Sequence, residues 1–375
     1  MEHTDMSNIH IRSLNIETFR GIQNLKLEGF SGINIFTGDN NSGKTSVLEV
    51  LQTSGNPHSP IMWTLLGRNE KFPNPTRTIF EMVKDLYSVS ENDLRIAYSK
   101  EDDKNGNVFI ELKGSISKEK TIKKDYCKIA HIECEKGEEF SEAEVIKLHI
   151  DFFYNGKIED SVDVYNVTRF EIFPENTEKP YEKYIVHYIS PSVYDKECPV
   201  ITEIFSDNEG HKELIEVLRL FDDDILDIVP TVREYAIPFP MKDSYQIRSK
   251  KYGKLMPLSV YGDGLKKALW LVTSVLATKD GVLLIDEFET AIHTSVMNKL
   301  FTWIFRACKK YNVQLFLTTH SKEALQKVLA LNSDQDFKDE ITLYTLYKID
   351  GKNVARRLSA ERAIEADENF GQELR

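Results

Sequence analysis

GDNNSGKTS, residues 38–46, is the stretch that decides what kind of chain this is. It follows Asn34 to Phe36, which read as the end of a strand. It opens KTSVLEVLQT, which carries Val47, Leu48, Val50 and Leu51 at helical spacing. Gly38 and Gly43 bracket a loop whose backbone N–H groups can turn inward onto phosphate oxygens. Lys44 is then expected to reach the β- and γ-phosphates and Thr45 to place its hydroxyl on Mg2+, with the positive end of the following helix facing the anion. The plain alternative is a glycine turn that only caps a helix. Strand before and helix after favour the phosphate loop.

A partner for that loop lies far downstream. In GVLLIDEFE, residues 281–289, four apolar residues form a candidate buried strand that delivers Asp286 to its end. Asp286 is expected to hold Mg2+ through water. Glu287 is the informative neighbour, because a second carboxylate here can orient and deprotonate an attacking water, which marks hydrolysis and not binding alone. Read plainly, it is a surface acid after a strand. Glu289 is a further acid with less support. LFLTTHS, residues 315–321, is another buried-strand candidate, and His320 at its end is placed to contact a γ-phosphate and report its loss. A lone histidine at a strand end is usually structural; as the third motif in the correct order, this one reads as functional.

The bulk composition is that of an ordinary soluble globular protein. At 375 residues, 41% hydrophobic and 29% charged, it suits one large domain or two modest ones. No apolar run approaches the roughly 20 residues that span a bilayer. The polar start, MEHTDMSNIHIRSLNIE, lacks a signal-peptide core. The expectation is a cytoplasmic protein with no membrane role of its own. Cys127, Cys134, Cys198 and Cys308 are scattered, which suits a reducing compartment. Cys127, His131 and Cys134 form a C-x3-H-x2-C cluster, but zinc sites need four ligands at tighter, paired spacing, so these read as ordinary strand residues. The net charge of −12 gives no support to binding nucleic acid through a whole-surface field.

Along the chain, residues 8–36 alternate apolar and polar as two or three short strands. TSGNPHSP breaks the helix after the loop, and 63–90 look helical. NVFIELKGSIS, YCKIAHIEC, IKLHIDFFYNGKI and VTRFEIFP are strand-like pieces of an antiparallel insert. From HYISP onward come longer helices, in GHKELIEVLRLF, GDGLKKALWLVTSVLATK and SVMNKLFTWIFRACKKY, the last two each followed by a buried-strand candidate. That alternation implies a covered, mostly parallel sheet. ITLYTLYKIDGKNVARRLS reads as a hairpin turning at Asp350-Gly351, with an amphipathic end after it. The expected division is 1–62 with the phosphate loop, 63–184 as a mixed insert, and 185–375 as the second half of the α/β domain.

At this point a resemblance becomes specific. IRSLNIETFRGIQNLKLEGFSGINIFTGDNNSGKTSVLEVLQ looks like the opening of the SMC/RecF-like ATPases, built on an ABC-type nucleotide-binding head. LSVYGDGLKKAL, LLIDEFETAIHTSV and FLTTHS look most like the OLD (overcoming lysogenization defect) branch. The resemblance covers about 8–55 and 185–360. It implies an ABC-type P-loop head with a β-rich insert and a phosphate loop of Gly38, Asn41, Gly43, Lys44, Thr45 and Ser46. Arg20, in FRG, falls near the nucleotide. LSVYGDG, with Ser259, Gly262, Asp263 and Gly264, takes the signature position and is presented to the other subunit's ATP. His293 falls in the D-loop position and His320 in the switch position.

The chain departs from the pattern in places. Its signature is not L-S-G-G-Q, and Ser259 lies three residues before Gly262. No Q-loop glutamine is evident, since Gln52 is too close to the loop. OLD nucleases carry a TOPRIM domain of roughly a hundred residues after the ATPase, within ordinary domain size. Here 321–375 read as a hairpin and a helix, and NSDQD at 332–336 as a solvated loop. The resemblance therefore implies an ATP- and Mg2+-dependent dimer, or a higher homo-oligomer, that gates a separately encoded nuclease or toxin, in anti-phage defence. The alternative is a RecF-like repair ATPase that clamps DNA through Arg248, Lys250, Lys251 and Lys254, or through Lys118, Lys120, Lys123 and Lys124. A transporter ATPase fits the phosphate loop and His320 but not GDG or FRG, and a P-loop kinase has no use for a signature.

Overall fold

The computed structural model describes residues 8–57, 63, 66, 78–87, 94–167, 184–192, 208–231, 244–290, 292 and 294–370. Its central element is a six-stranded sheet in the order β15-β14-β3-β13-β12-β8. The strands are β3 (Ile33–Gly38), β8 (Val186–Ile189), β12 (Val282–Ile285), β13 (Gln314–Thr318), β14 (Ile341–Ile349) and β15 (Lys352–Ser359). All neighbours pair in parallel except β14 and β15, which form the expected hairpin. Asp350 and Gly351 both take positive φ at its turn, as a tight two-residue hairpin requires.

The strands beside the loop read as unbroken apolar runs because both faces of this sheet are covered. Leu283, Ile285, Leu315 and Leu317 face one core, shared with α4 (Asn208–Arg219), α5 (Asp263–Ala277), α6 (Thr294–Lys310), α7 (Lys322–Leu329) and α8 (Ala360–Phe370). Leu284, Phe316, Phe36 and Tyr344 face the other. There α1 (Lys44–Thr53) inserts Val47, Leu48, Val50 and Leu51, all fully buried. Phe30, Phe36, Phe316 and Tyr344 make edge-on and stacked ring contacts under the phosphate loop.

A second, antiparallel sheet closes over that core in the order β2-β1-β4-β5-β6-β7. It comprises β1 (Ile11–Phe19), β2 (Ile22–Glu28), β4 (Arg95–Asp102), β5 (Gly106–Ile122), β6 (Glu142–Tyr154) and β7 (Lys157–Tyr165), with α2 (Ile79–Lys84) beneath. The antiparallel strands of the insert are thus real, and β4 pairs directly with β1. They extend the N-terminal hairpin's sheet and do not form a sheet apart from it. Gln314 stitches the two layers: fully buried, it accepts from the N–H groups of His10 and Ile11 and donates to the carbonyls of Ile11 and Ser31.

Two local expectations change. YCKIAHIEC is not a strand: Cys127 lies in α3 (Lys123–Ala130), which caps the long β5–β6 arm and ends at His131 in a left-handed conformation. NSDQD forms two short 3-10 turns whose Asp334 and Asp336 pair with Arg306. VTRFEIFP from residue 168 onward lies outside the described residues, as does most of 63–90. A three-stranded sheet, β11-β10-β9, precedes α5 and comprises β9 (Ile225–Thr231), β10 (Ser244–Ser249) and β11 (Met256–Pro257). Among the described residues no helix is long and apolar enough to cross a membrane.

Candidate nucleotide site

The loop at 38–46 leaves β3 at the C-terminal edge of the parallel strands, where ligands of open α/β sheets bind. Gly38 has φ 133° and packs so closely on the carbonyl of Leu346 that a Cβ could not fit. Asn41 and Gly43 also take positive φ, at 62° and 105°. These three residues curl the backbone over the N-terminus of α1. Inside the curl, the Lys44 ammonium donates to the carbonyl oxygens of Gly38 at 2.7 Å and Asp39 at 2.9 Å. Burial pushes the Lys44 pKa below its usual range, against the opposing pull of Asp286 and Asp39.

Asp286 follows β12 and meets the loop. Its Oδ1 accepts from the Thr45 hydroxyl at 3.4 Å and from Thr318 at 2.5 Å, and its Oδ2 accepts from Tyr188 at 3.1 Å. A buried carboxylate beside a threonine hydroxyl is an all-oxygen donor set that suits a hard cation such as Mg2+. Thr318 is a pivot: while its hydroxyl donates to Asp286, its oxygen accepts the Glu287 N–H at 2.8 Å. Glu287 itself has φ 48°, an uncommon conformation for a residue with a side chain, and its Oε2 accepts from Thr290 at 3.4 Å.

Glu289 acts on His320 through the backbone, its Oε1 accepting the His320 N–H at 2.9 Å. The imidazole is exposed and lines a cleft of about 530 Å3 with Arg20, Lys44, Thr45 and Ser46. That volume lies within the range of small-molecule sites. Arg20, also at positive φ, places its guanidinium 3.4 Å from Glu49 of α1 and donates to the Leu66 carbonyl at 2.6 Å. The structure therefore brings Arg20, the loop and His320 onto one cleft, with Asp286 buried behind Thr45 and Glu287 following it.

The signature stretch stands elsewhere. Residues Leu258–Val260 form a 3-10 turn, Gly262 caps α5, and Ser259, Gly262 and Asp263 are exposed while Gly264 rests near Phe221. None of the four lines the cleft of its own chain. Their helix is nevertheless tied to the acidic motif, because buried Lys267 donates to the Thr290 carbonyl at 2.6 Å. His293 lies outside the described residues.

Tyr188, Thr318, Lys267, Lys348 and Asn353 escape a reading of the sequence. Thr318 had a visible signal, its place in the TTHS end of a strand. The others arrive from strands and helices whose neighbours only the folded sheet defines. The cysteine cluster gathers no metal site: among the described residues no group of three or more His, Cys, Asp or Glu is placed to hold one. Cys127 is buried and Cys134 half-buried, both as free cysteines.

The fold and the site are those of an α/β P-loop ATPase domain. Residues 139–325, half of the chain to within a residue, match the family model described as "AAA domain, putative AbiEii toxin, Type IV TA system". The match holds Asp286, Glu287 and His320 and begins after the phosphate loop. The chain is similar to an ATP/GTP phosphatase of Helicobacter pylori, 26% identical over 397 aligned positions that cover 96% of this chain and 99% of the relative. It is 36% identical over 117 residues to an uncharacterized protein of Methanocaldococcus jannaschii, covering 30% of this chain and 98% of that one. Among solved structures it is similar to the Smc head bound to the C-winged helix domain of ScpA, at TM-score 0.48 and 14% identity, covering 95% of this chain and 99% of that one. The SMC head domain from Thermotoga maritima matches at TM-score 0.42 and 12% identity, over 94% and 100% of the two chains.

Proposed function

We propose that this chain is a nucleotide switch: it binds ATP with Mg2+, closes into a dimer around it, and opens when the γ-phosphate is cut. One observation carries the reading. The loop, Asp286, Glu287 and His320 gather at one edge of the sheet, while the exposed signature residues lie off that cleft, free to meet another copy's nucleotide. In this scheme Lys44 binds the β- and γ-phosphates, and Thr45 and Asp286 hold the magnesium ion. Held there, the ion would supply positive charge against the negative charge that develops on the phosphate oxygens.

Glu287 orients the attacking water and takes its proton as the water oxygen bonds to the γ-phosphorus, while the bond from that phosphorus to the β–γ bridging oxygen breaks and ADP and phosphate leave. Its unusual backbone conformation, held by the Thr318 hydroxyl, aims the carboxylate; a strained residue held by its surroundings is a frequent mark of such sites. His320 contacts the γ-phosphate, and its loss is relayed through the Glu289 clasp to the loop after β12. The name of the Helicobacter relative supports triphosphate hydrolysis as the chemistry.

The switch gates a separately encoded effector, a nuclease or toxin, in a cytoplasmic anti-phage system. The OLD resemblance supports that role, and the toxin-system description of the matching family agrees with it. The DNA-clamp alternative draws on Lys250, Lys251 and Lys254, exposed on the turn that leads into the signature. The arm lysines support it less, since Lys120 and Lys123 pair with Glu142 and Glu138.

The test uses two variants. Lys44→Ala is expected to abolish ATP binding in an equilibrium titration; unchanged affinity removes the phosphate-loop assignment. Glu287→Gln is expected to bind ATP, hydrolyse it very slowly and accumulate as a closed dimer. Wild-type turnover in that variant puts the base elsewhere. Purified from its native host with ATP, the trapped form is expected to bring down a stoichiometric protein with catalytic residues of its own. Nucleic acid alone, released by moderate salt, selects the DNA clamp.

A further inference from the structure

The cleft has a wall that no phosphate-loop motif describes. β14 runs parallel to β3 with Leu346 opposite Gly38, so its last residues pass alongside the start of the loop. Lys348 and Asn353 are direct cross-strand partners in the β14–β15 hairpin, and both line the cleft. Asn353 is only 5% exposed, and its Nδ2 donates to the carbonyl of Ser42, inside the loop, at 2.9 Å. Its Oδ1 is buried with no hydrogen-bond partner, and so is the hydroxyl oxygen of Ser42, a residue 3% exposed. Two orphaned polar atoms at one seam are costly in a finished structure and call for a partner.

Charge points the same way. The chain as a whole carries −12, yet the residues lining this cleft include Arg20, Lys44 and Lys348 and no carboxylate. Lys44 is partly engaged by the loop's own carbonyls, whereas Lys348 extends from the exposed end of its strand. A cation on a flexible stem beside an anion-binding loop can follow a polyphosphate chain as it settles.

We propose that the C-terminal hairpin completes the nucleotide site: Lys348 binds the polyphosphate as a second cation, and Asn353 is a positioning residue that braces the loop through Ser42. The proposal rests on the reading above that this cleft takes a nucleoside triphosphate. It assigns a ligand-binding role to the segment after His320, which otherwise reads as a terminal hairpin. Because the contact is to phosphate, it is indifferent to the base.

The experiment is equilibrium titration of the full chain with ATP and with GTP, Mg2+ present. Lys348→Ala is expected to weaken both by a similar factor, about tenfold for a lost charge-assisted contact, with Lys348→Arg restoring most of the affinity. Affinities of Lys348→Ala within about twofold of wild type overturn the assignment, as does a loss confined to one nucleotide, which marks a contact to the base. Asn353→Ala is expected to raise the KM for ATP while leaving kcat nearly unchanged; a fall in kcat at constant KM removes the bracing role. Failure of the underlying reading looks different. A folded wild type that binds neither nucleotide overturns both, whereas binding lost in Lys44→Ala and kept in Lys348→Ala overturns the hairpin alone.

Discussion

At the scale of single residues, Thr318 shows how much one hydroxyl can organise. Its proton is committed to Asp286 and its lone pair to the Glu287 N–H, so it fixes the spacing between the metal-side acid and the candidate base. Valine has nearly the same shape but neither bond, and leaves the Asp286 carboxylate and the Glu287 N–H each one partner short. Thr318→Val is therefore expected to fold and bind ATP with little change in KM. Its kcat is expected to fall by about 10- to 100-fold, the usual cost of removing a group that orients a catalytic one. Steady-state ATPase kinetics checks this, and a wild-type kcat shows that Glu287 needs no such support.

At the scale of elements, the phosphate loop works because two layers hold it. Aromatic rings of β3, β13 and β14 pack beneath it, and α1 is gripped between the sheets. The β5–β6–β7 arm is built differently, with polar pairs along an open face. His149 of β6 faces Asp163 of β7 across the ladder, Nδ1 at 2.6 Å, with Asp151 on Nε2 at 3.1 Å. The Asp163 hydrogen bond raises the imidazole above its ordinary 6.5, outweighing the opposing effect of partial burial. A raised folded-state value means this pair stabilises the arm fully below about pH 6.5 and stops doing so as pH climbs through the raised value. NMR titration of the His149 ring is expected to give a midpoint above 6.5, and Asp163→Asn to lower it. An unmoved midpoint in that variant assigns the shift to something other than the pair.

At the scale of the whole molecule, the placement of α5 matters most. Its N-terminus presents Gly262 and Asp263 to solvent, while Lys267, one turn on, is buried and bound to the loop after Glu287. A nucleotide that touched this signature from another copy would be coupled through α5 to that subunit's own acidic motif. Light scattering of Glu287→Gln with ATP and Mg2+ is expected to report a dimer. Adding Gly262→Asp, which puts a carboxylate where a phosphate must approach, is expected to return it to monomer with ATP still bound. A double variant that remains dimeric places the signature outside the interface.

The sequence by itself determined the parts of this protein that depend on local order. The loop needs glycines where φ is positive and a lysine at its end, and GDNNSGKTS states both. Buried parallel strands need unbroken apolar runs, so VLLI and QLFLT announced themselves, as did the Asp350-Gly351 hairpin. Where helix and strand patterns both suit a short segment, as at Cys127, the periodicity misled and α3 formed at the tip of the arm. What tertiary structure alone decided is which distant residues share a site. Tyr188 reaches Asp286 because β8 pairs with β12, and Asn353 reaches Ser42 because the β14–β15 hairpin lies against β3. Pairing between distant strands is set by how two cores close over both faces of one sheet, and no window of sequence contains that information.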